Sequence, residues 1–516
     1  MEATATPGLY NDRSFFGHPR GLMICFATEM WERFSFYGMK YLLLLYLTKY
    51  HLFTDSAGLE VLGGYAALVY ATPVIGGLLA DRFLGMRKSV IFGGLLLVAG
   101  HLGMAVEGEQ ARLVGESVVR DDSAIQVFYA SLALIVVGVG FLKPNISTIV
   151  GRLYAPDDSR RDAGFTIFYM GINIGSFTAT LLCGYLGETL GWSYGFGAAG
   201  IGMLFGLVVF IWGQKYLEGQ AEPPEDGGLD EPVFPGLNRE RTIYISAIAS
   251  VAVIWQMLQF HAAVGLVLNS MSLAVLVGLA WFLYARCDSI ERQRMIVLIV
   301  LTLSTVVFWA LFEQSAASMT LFADRVMDRE VFGMTLTASQ YGSLNSFFIF
   351  TLAPLFAWLW TSLSARGLEP STPVKFALGI AQAGLGFGAL VYGAAHPDQA
   401  GLVSGYWMIL AYLLHTSGEL CLSPVGLSAV TKLAVPSVVG VMMGAWFLAT
   451  AYSEFVAAQL AKLAAADTTG GVVTDVSAAL AGYTELYSSL LWIGVGVGVF
   501  MLLLSPLLRR MMHGVH

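Results

Sequence analysis

Long runs of apolar residues recur along the whole chain, with short polar segments between them. Four clear runs are Ser89–Gly103, Ala124–Phe141, Phe196–Gly213 and Trp492–Pro506. With their flanks they approach the ~20 residues that an α-helix needs to cross ~30 Å of hydrocarbon. A strand of a membrane β-barrel would instead alternate polar and apolar residues over ~10 positions. The continuous runs therefore predict membrane-spanning helices.

The breakers between these runs predict fourteen spans, with six in the first part of the chain, two in the middle and six in the last part. The predicted spans are 21–50, 57–82, 88–107, 123–151, 162–186, 192–216, 242–260, 263–286, 294–323, 335–364, 373–395, 400–432, 437–464 and 479–508.

This order predicts two six-helix bundles with a helix pair inserted between them. The first bundle covers 1–216, a linker rich in proline, glycine and acids covers 217–241, the inserted pair covers 242–290, and the second bundle covers 291–516. Two halves of six helices suit a carrier that works around a site near the middle of the membrane. We expect the inserted pair to be peripheral.

Composition supports a membrane protein. Apolar residues make up 56% of the chain and charged residues 12%, against roughly 25% charged residues in a soluble domain. The net charge of −8 lies mostly in connecting segments and indicates no nucleic-acid surface. The polar segment Met1–Arg20 has no apolar core, so we expect no cleavable signal peptide. The lipid bilayer is thus the expected surrounding.

Lys and Arg residues predict the orientation. With both termini in the cytoplasm, about nineteen of the basic residues fall inside and about six outside, as the positive-inside rule requires. We therefore expect a multi-pass protein of the inner (plasma) membrane with cytoplasmic termini. The four cysteines are scattered in apolar stretches without metal-ligand spacing, so we expect packing roles for them and no metal or other cofactor.

The first span contains an unusual cluster of ionisable residues. An ionisable group near the centre of a span costs at least ~2.5–3.5 kcal/mol, so it usually faces a cavity or a partner. At ~100° per residue, one helical face collects most of the polar groups. These are Glu29, Glu32, Arg33, Tyr37 and Lys40, together with Phe36. A structural ion-pair stripe is the alternative, but two acids and two bases exceed what packing alone requires.

Three further spans contain charged groups. Lys143 precedes Pro144 in the fourth span, where the proline bends the helix and frees a carbonyl group. Glu313 follows a set of aromatic residues, and Glu419 lies shortly before Pro424. Two amides, Asn173 and Asn345, lie in other spans and could equally form interhelical hydrogen bonds.

Taken together, these groups place positive charge in the first half and negative charge in the second. Arg33 and Lys143 could bind the carboxylate of a zwitterion such as a short peptide. Glu419, Asn173 and Asn345 could bind its ammonium group. Candidate apolar walls, each of which could equally be ordinary packing, are Tyr37, Tyr70, Trp309, Trp446 and Phe447.

Several motifs resemble one transporter family. The string EMWERFSFYG, Glu29–Gly38, looks like the ExxERFxYY signature of the proton-dependent oligopeptide transporters of the major facilitator superfamily. The similar segments elsewhere are Gly76–Lys88, Lys143–Asn145, Phe168–Ser176, Phe308–Trp309 with Glu313–Gln314, and Gly418–Leu420 with Ser423–Pro424. The likeness covers nearly the whole chain, and an inserted helix pair is typical of bacterial members.

The resemblance implies the major facilitator superfamily fold and symport of di- and tripeptides with protons. Glu29 and Glu32 would take part in proton coupling, and Arg33 would pair with them and with the peptide carboxylate. Lys143 and Glu313 would form a salt bridge that opens and closes. Glu419 and Ser423 would belong to the peptide site. The chain departs from the pattern at Phe36, where the family usually has a tyrosine.

A second departure concerns Gly63. Animal members carry a histidine near this position, and this chain has none there, so proton coupling would depend on carboxylates.

Other classes fit less well. The sequence has no HExxH motif and no Gly-rich phosphate loop that a membrane enzyme or a nucleotide-driven pump would need. A channel would not need opposed charges that exchange partners. A carrier of nitrate or another small solute remains an alternative, although Glu419 would place an acid in an anion site. We expect a monomer.

Overall fold

Helices dominate the computed structural model, which describes residues 10, 12–155 and 157–515. The prediction of no cleavable signal peptide concerns a segment of which residues 1–9 and 11 lie outside this range. The α-helices are α1 (Arg20–Leu45), α2 (Asp55–Ala71), α3 (Pro73–Leu79), α4 (Gly85–Met104), α5 (Asp122–Arg152), α6 (Arg161–Tyr185), α7 (Trp192–Gly213), α8 (Arg239–Gln259), α9 (His261–Ala285), α10 (Ser289–Phe312), α11 (Ser318–Arg325), α12 (Ser343–Ala365), α13 (Thr372–Ala394), α14 (Gly405–Leu433), α15 (Val439–Ala461) and α16 (Val476–Met511).

Shorter helical and extended segments lie at the helix ends. Three helices continue as single π-helical segments, at Tyr46–Tyr50, Ala80–Leu84 and Leu186–Leu190. The 3-10 turns are Gln214–Leu217, Glu225–Gly227, Glu313–Ser315, Ser339–Gly342, Pro436–Val438 and Lys462–Ala464. The strands are β1 (Arg112–Val114), β2 (Ser117–Val119), β3 (Pro232–Phe234), β4 (Leu237–Asn238), β5 (Met327–Asp328), β6 (Glu330–Val331), β7 (Met334–Thr335), β8 (Val403–Ser404), β9 (Thr468–Thr469) and β10 (Val472–Val473).

These strands form only short pairs in the loops. The pairs β1–β2, β3–β4, β6–β7 and β9–β10 are antiparallel, and β5–β8 is parallel. The hairpin β6–β7 turns at Phe332 and Gly333, which both have positive φ. The sequence-predicted span 335–364 therefore begins too early, because its first residues belong to this hairpin and to the 3-10 turn before Ser343.

The predicted all-α membrane class is confirmed. Within the described residues, twelve helical segments are long and apolar enough to cross a membrane. α1 is not among these twelve, and it carries four ionisable residues between Glu29 and Lys40. The continuous stretch Asp55–Met104, which contains Gly85 with a φ of 71°, counts as one segment. The count of fourteen spans stays a prediction.

The chain divides into two compact units. The first comprises Met1–Leu43 and Leu68–Phe260, and the second comprises Leu44–Ala67 and His261–His516. The inserted helix pair is divided between them, since α8 belongs to the first unit and α9 to the second.

In the first unit, α4 packs against α5 and α7, and α5 also packs against α3 and α8. The segment between α7 and α8 is folded onto the start of α4. Arg87 and Lys88 form ion pairs with Glu222 and Glu240, at 2.7 Å each. The pair with Glu222 joins this segment to α4, and the pair with Glu240 joins the start of α8 to α4.

In the second unit, α13 packs against α14 and α16, and α10 packs against α15. α9 contacts α15, where the Tyr452 hydroxyl donates to Asn269 Oδ1 at 3.0 Å. Most side chains of α9 are exposed, as the apolar surface of a helix facing lipid would be.

Candidate functional site

The polar face of α1 is the centre of the first unit's candidate site. α1 is unbroken from Arg20 to Leu45, so its 3.6-residue period brings Glu29, Glu32 and Arg33 onto one side. The exposed fractions of these three side chains are between 0 and 3%. Beside this face, α1 packs so closely against α6 that a Cβ on Gly175 would lie 2.2 Å from the Met30 carbonyl oxygen. Close packing there holds the charged face in place.

Arg33 treats the two acids differently. Its Nε and Nη2 atoms donate to the two carboxylate oxygens of Glu32, which gives a bidentate ion pair. Glu29 Oε1 lies 3.5 Å from Arg33 Nε, outside that pair. Glu29 Oε2 is buried and has no hydrogen-bond partner among the described residues. Glu32 is thus held by the guanidinium group, while Glu29 keeps an oxygen that could take a proton.

Phe36 and Tyr37 lie against the same guanidinium group. The ring centres are 4.8 Å and 5.9 Å from Arg33 Cζ. Phe36 is 1% exposed and meets Tyr37 edge to face. A cation–π contact therefore occupies the position where the resembled family usually has a tyrosine.

Lys143 lies in the last third of α5, next to Tyr70 of α2. Its Nζ atom is 5.0 Å from the centre of the Tyr70 ring. Pro144 lies inside the continuous helix and has no N–H to donate. Asn145 Nδ2 donates to the Phe141 carbonyl oxygen at 2.7 Å. The structure therefore brings together the sequence-predicted residues Lys143 and Tyr70.

Asn173 differs from the interhelical role considered as an alternative. Its side chain is buried on α6, and Nδ2 donates to the Tyr169 carbonyl oxygen of the same helix at 3.1 Å. Its Oδ1 acceptor is not used in that bond.

The second unit has a polar cluster around one acid of α14, Glu419. Asn345 Nδ2 of α12 donates to Glu419 Oε2 at 2.9 Å and lies 3.1 Å from Thr416 Oγ1. Glu419 is 8% exposed. Ser423 follows one helical turn later on α14 and is half-buried. The structure thus brings together Asn345 and Glu419, which were both predicted, and adds Thr416, which was not.

The aromatic candidates of this unit have different surroundings. Trp309 contacts Phe308 and Phe312, and Glu313 begins the 3-10 turn directly after α10. Trp446 is buried against α14, so that a Cβ on Gly426 would lie 2.5 Å from its Cη2 atom. Phe447 is exposed. Trp446 is consistent with the packing alternative for the aromatic residues.

Lys143 belongs to the first unit and Glu313 to the second. Their salt bridge therefore stays a prediction. Among the described residues there is no group of three or more side chains that could hold a metal ion.

Sequence reasoning missed a charged cluster within the second unit, which includes the segment Leu44–Ala67. Arg325 of α11 makes a bidentate ion pair with Asp55, and the Ala466 N–H also donates to Asp55 Oδ2 at 3.0 Å. Lys49 pairs with Asp324 at 2.7 Å, and Lys462 pairs with Glu60 at 2.5 Å. In the sequence these residues look like ordinary charges at helix ends, and no motif relates them.

Comparisons with known proteins agree on one family. The sequence model of the POT family, PTR2, matches residues 87–476. Among curated proteins, the chain is 37% identical over 511 residues to the uncharacterized transporter YclF of Bacillus subtilis, covering 98% of this chain and 97% of that protein. It is 34% identical over 527 residues to a di-/tripeptide transporter of Lactococcus lactis, covering 97% and 98% of the two chains.

Solved structures give the same result. A peptide transporter POT in complex with sulfate has a TM-score of 0.81 and 36% identity, with 97% of each chain covered. A mutant of a peptide transporter POT in complex with alafosfalin has a TM-score of 0.82 and 36% identity, with 98% of each chain covered.

Proposed function

The chain belongs to the POT family, and from this premise we propose that it imports di- and tripeptides together with protons. Relatives that cover nearly the whole chain are named di-/tripeptide transporter or dipeptide and tripeptide permease. The observation that carries the proposal most directly is the separation of the basic and acidic candidates between the two units. Buried Arg33 and half-buried Lys143 belong to the first unit, and buried Glu419 with its partner Asn345 belongs to the second.

This separation matches a peptide with charged ends. The carboxylate end binds Arg33 and Lys143 through charge-assisted hydrogen bonds. The ammonium end binds Glu419, with Asn173 and Asn345 as further hydrogen-bond acceptors. Tyr37, Tyr70 and Trp309 provide aromatic surface for the peptide side chains, and we assign Ser423 and Trp446 to the same peptide site.

Proton coupling is assigned to Glu29, Glu32 and Arg33. A proton on Glu29 neutralises the carboxylate whose second oxygen has no hydrogen-bond partner among the described residues. Arg33 then redistributes its hydrogen bonds between Glu32 and the peptide carboxylate. Protonation and peptide binding are linked because both act on the same guanidinium group.

Lys143 and Glu313 form the gating salt bridge in this proposal. If they act as a pair, Lys143→Glu and Glu313→Lys will each abolish proton-driven uptake. The double exchange will restore part of it, because the two charges are again opposite in sign. Uptake of labelled dialanine by proteoliposomes measures this, and equal activity of the double and single variants contradicts the pairing.

The same assay tests the function itself. Labelled dialanine should accumulate in proteoliposomes when an inward proton gradient is imposed, and unlabelled tripeptide should compete. Nitrate uptake without dialanine uptake would support the other carrier class. A current without proton dependence would support a channel.

The remaining features follow from this assignment. We place the protein in the inner membrane with both termini in the cytoplasm and treat it as a monomeric transporter, not an enzyme. The proton is its only coupling ion, and no cofactor takes part.

A further inference from the structure

Two adjoining cavities open at the end of the second unit where α12 leads into α13. One has a volume of about 580 Å³ and the other about 590 Å³. Both are lined by Ser371 and Arg509, so we describe them together as the basic end cavity. Its walls come from the α12–α13 loop, the start of α13 and the ends of α14 and α16.

Cationic side chains dominate this cavity. Four of them line it: Lys375, Lys432, Arg509 and Arg510. Among the described residues that line it, the one carboxylate is Glu369, which is bound by Lys375 Nζ at 2.6 Å. Hydrogen bonds from Lys375 and Ser364 lower the pKa of Glu369, so it stays ionised and neutralises one of the four charges. Arg509 and Arg510 carry two further positive charges.

The cationic side chains of this cavity differ in whether they have partners within the protein. Lys375 is fixed by Glu369 and by the Trp360 ring, whose centre lies 4.8 Å from Nζ. Arg509 and Arg510 form no ion pair with any residue in the described part of the chain, and both are exposed. Their guanidinium groups can therefore bind an anion without first breaking an internal pair.

Backbone N–H groups and hydroxyl groups add hydrogen-bond donors to the basic end cavity. The 23-residue helix α13 begins at Thr372, and its N-cap residue Ser371 makes no side-chain capping hydrogen bond. The first N–H groups of a helix have no partner within it, and the helix dipole favours an anion there. In α13 these donors are the N–H groups of Thr372 and Val374, since Pro373 has none. Ser428 lines the same cavity. An anion here would meet side-chain and backbone donors from three helices.

The surface beside the cavity indicates what kind of anion this is. On α16, Phe500, Leu503 and Leu507 precede the two arginines, with exposed fractions of 62%, 75% and 53%. On a membrane-spanning helix, such apolar surface faces hydrocarbon. An amphiphile with an anionic head group and acyl tails would contact both the exposed apolar residues of α16 and the two arginines that follow them. A free anion would contact only the arginines.

We propose that the basic end cavity binds the phosphate group of an anionic phospholipid, with its acyl chains along α16. General attraction of basic residues to the membrane surface would not require this convergence. The cations here come from three separate segments of the chain and share one pair of cavities. A phospholipid bound there would hold the ends of α13, α14 and α16 together.

The test measures binding of phosphatidylglycerol to the purified full-length protein by native mass spectrometry. The variant Arg509→Gln/Arg510→Gln should weaken binding about tenfold or more, because it removes charge-assisted hydrogen bonds. Lys432→Gln should weaken it less, as an independent second variant. The matched control is Arg241→Gln/Arg286→Gln, which removes two exposed charges elsewhere and should leave binding unchanged.

Three outcomes would overturn the proposal. Equal binding of phosphatidylcholine would mean that the net charge of the headgroup is not recognised. Equal loss in the control variant would mean that binding follows total charge. Full displacement by inorganic phosphate would show that the cavity takes free phosphate and that the acyl chains contribute nothing.

Discussion

Arg33 connects the two acids of α1 at the scale of single residues. Its bidentate pair with Glu32 uses Nε and Nη2, and its contact with Phe36 uses one face of the guanidinium group. A lysine could not reproduce both contacts, because it is a point charge without a planar fork. Glu32 is therefore held in an ion pair, whereas Glu29 keeps an oxygen that is available for a proton.

The first prediction follows from this difference. Glu29→Gln keeps the shape of the side chain and removes its proton site, so proton-driven accumulation of dialanine should fall to the level of protein-free liposomes. Exchange of external for internal dialanine should continue, because it needs no net proton movement. The control Glu109→Gln removes an acid whose side chain is 77% exposed, and it should leave both activities intact. Proton-driven accumulation by Glu29→Gln would contradict the role of Glu29.

At the scale of secondary-structure elements, helices pack closely where small residues let their backbones approach. A Cβ on Gly76 would lie 2.0 Å from the Gly140 carbonyl oxygen of α5, whereas a Cβ on Gly77 would lie 3.4 Å from Pro144. Small residues permit such approach in membrane helices. Pro144 has no N–H group and so leaves the Gly140 carbonyl group of α5 without its helical partner. The approach of Gly76 to this carbonyl group thus lies beside Pro144.

These neighbouring glycines give a matched pair of substitutions. Gly76→Ala must push α3 away from the α5 backbone, so it should lower stability by about 1–3 kcal/mol. Gly77→Ala has room and gains helix propensity, so the melting temperature in detergent should be unchanged or higher. Equal melting temperatures for the two variants would contradict this account of the α3–α5 contact.

The Asp55–Arg325 pair is the other test at this scale. Both side chains are 3% exposed or less, and Asp55 also accepts from the Ala466 N–H. Asp55→Ala leaves a buried arginine without its partner and should cost about 3–5 kcal/mol. Adding Arg325→Met should recover most of this loss in thermal unfolding. A double variant as unstable as the sum of the two single changes would show that the pair is not coupled.

At the scale of the whole molecule, the features that could be predicted from the sequence are those that depend on the local pattern of apolar and polar residues. The helical spans follow from runs of about twenty apolar residues, and the shared face of Glu29, Glu32 and Arg33 follows from the helical period. The partner of Asp55 does not, because Arg325 is 270 positions away and only tertiary packing joins them. The division of the inserted pair between two units has the same origin, since α8 and α9 pack on different helices.

The predicted orientation can be tested by cysteine labelling, because the native cysteines should react only weakly. All four native cysteines are buried, so an impermeant maleimide added to intact cells should label the unmodified protein weakly. Glu109→Cys, before β1, should be labelled from outside. Leu368→Cys, in the α12–α13 loop and 67% exposed, should be labelled only after the membrane is opened. The opposite pattern would reverse the orientation that the Lys and Arg distribution predicts, and it would move the basic end cavity to the outer leaflet.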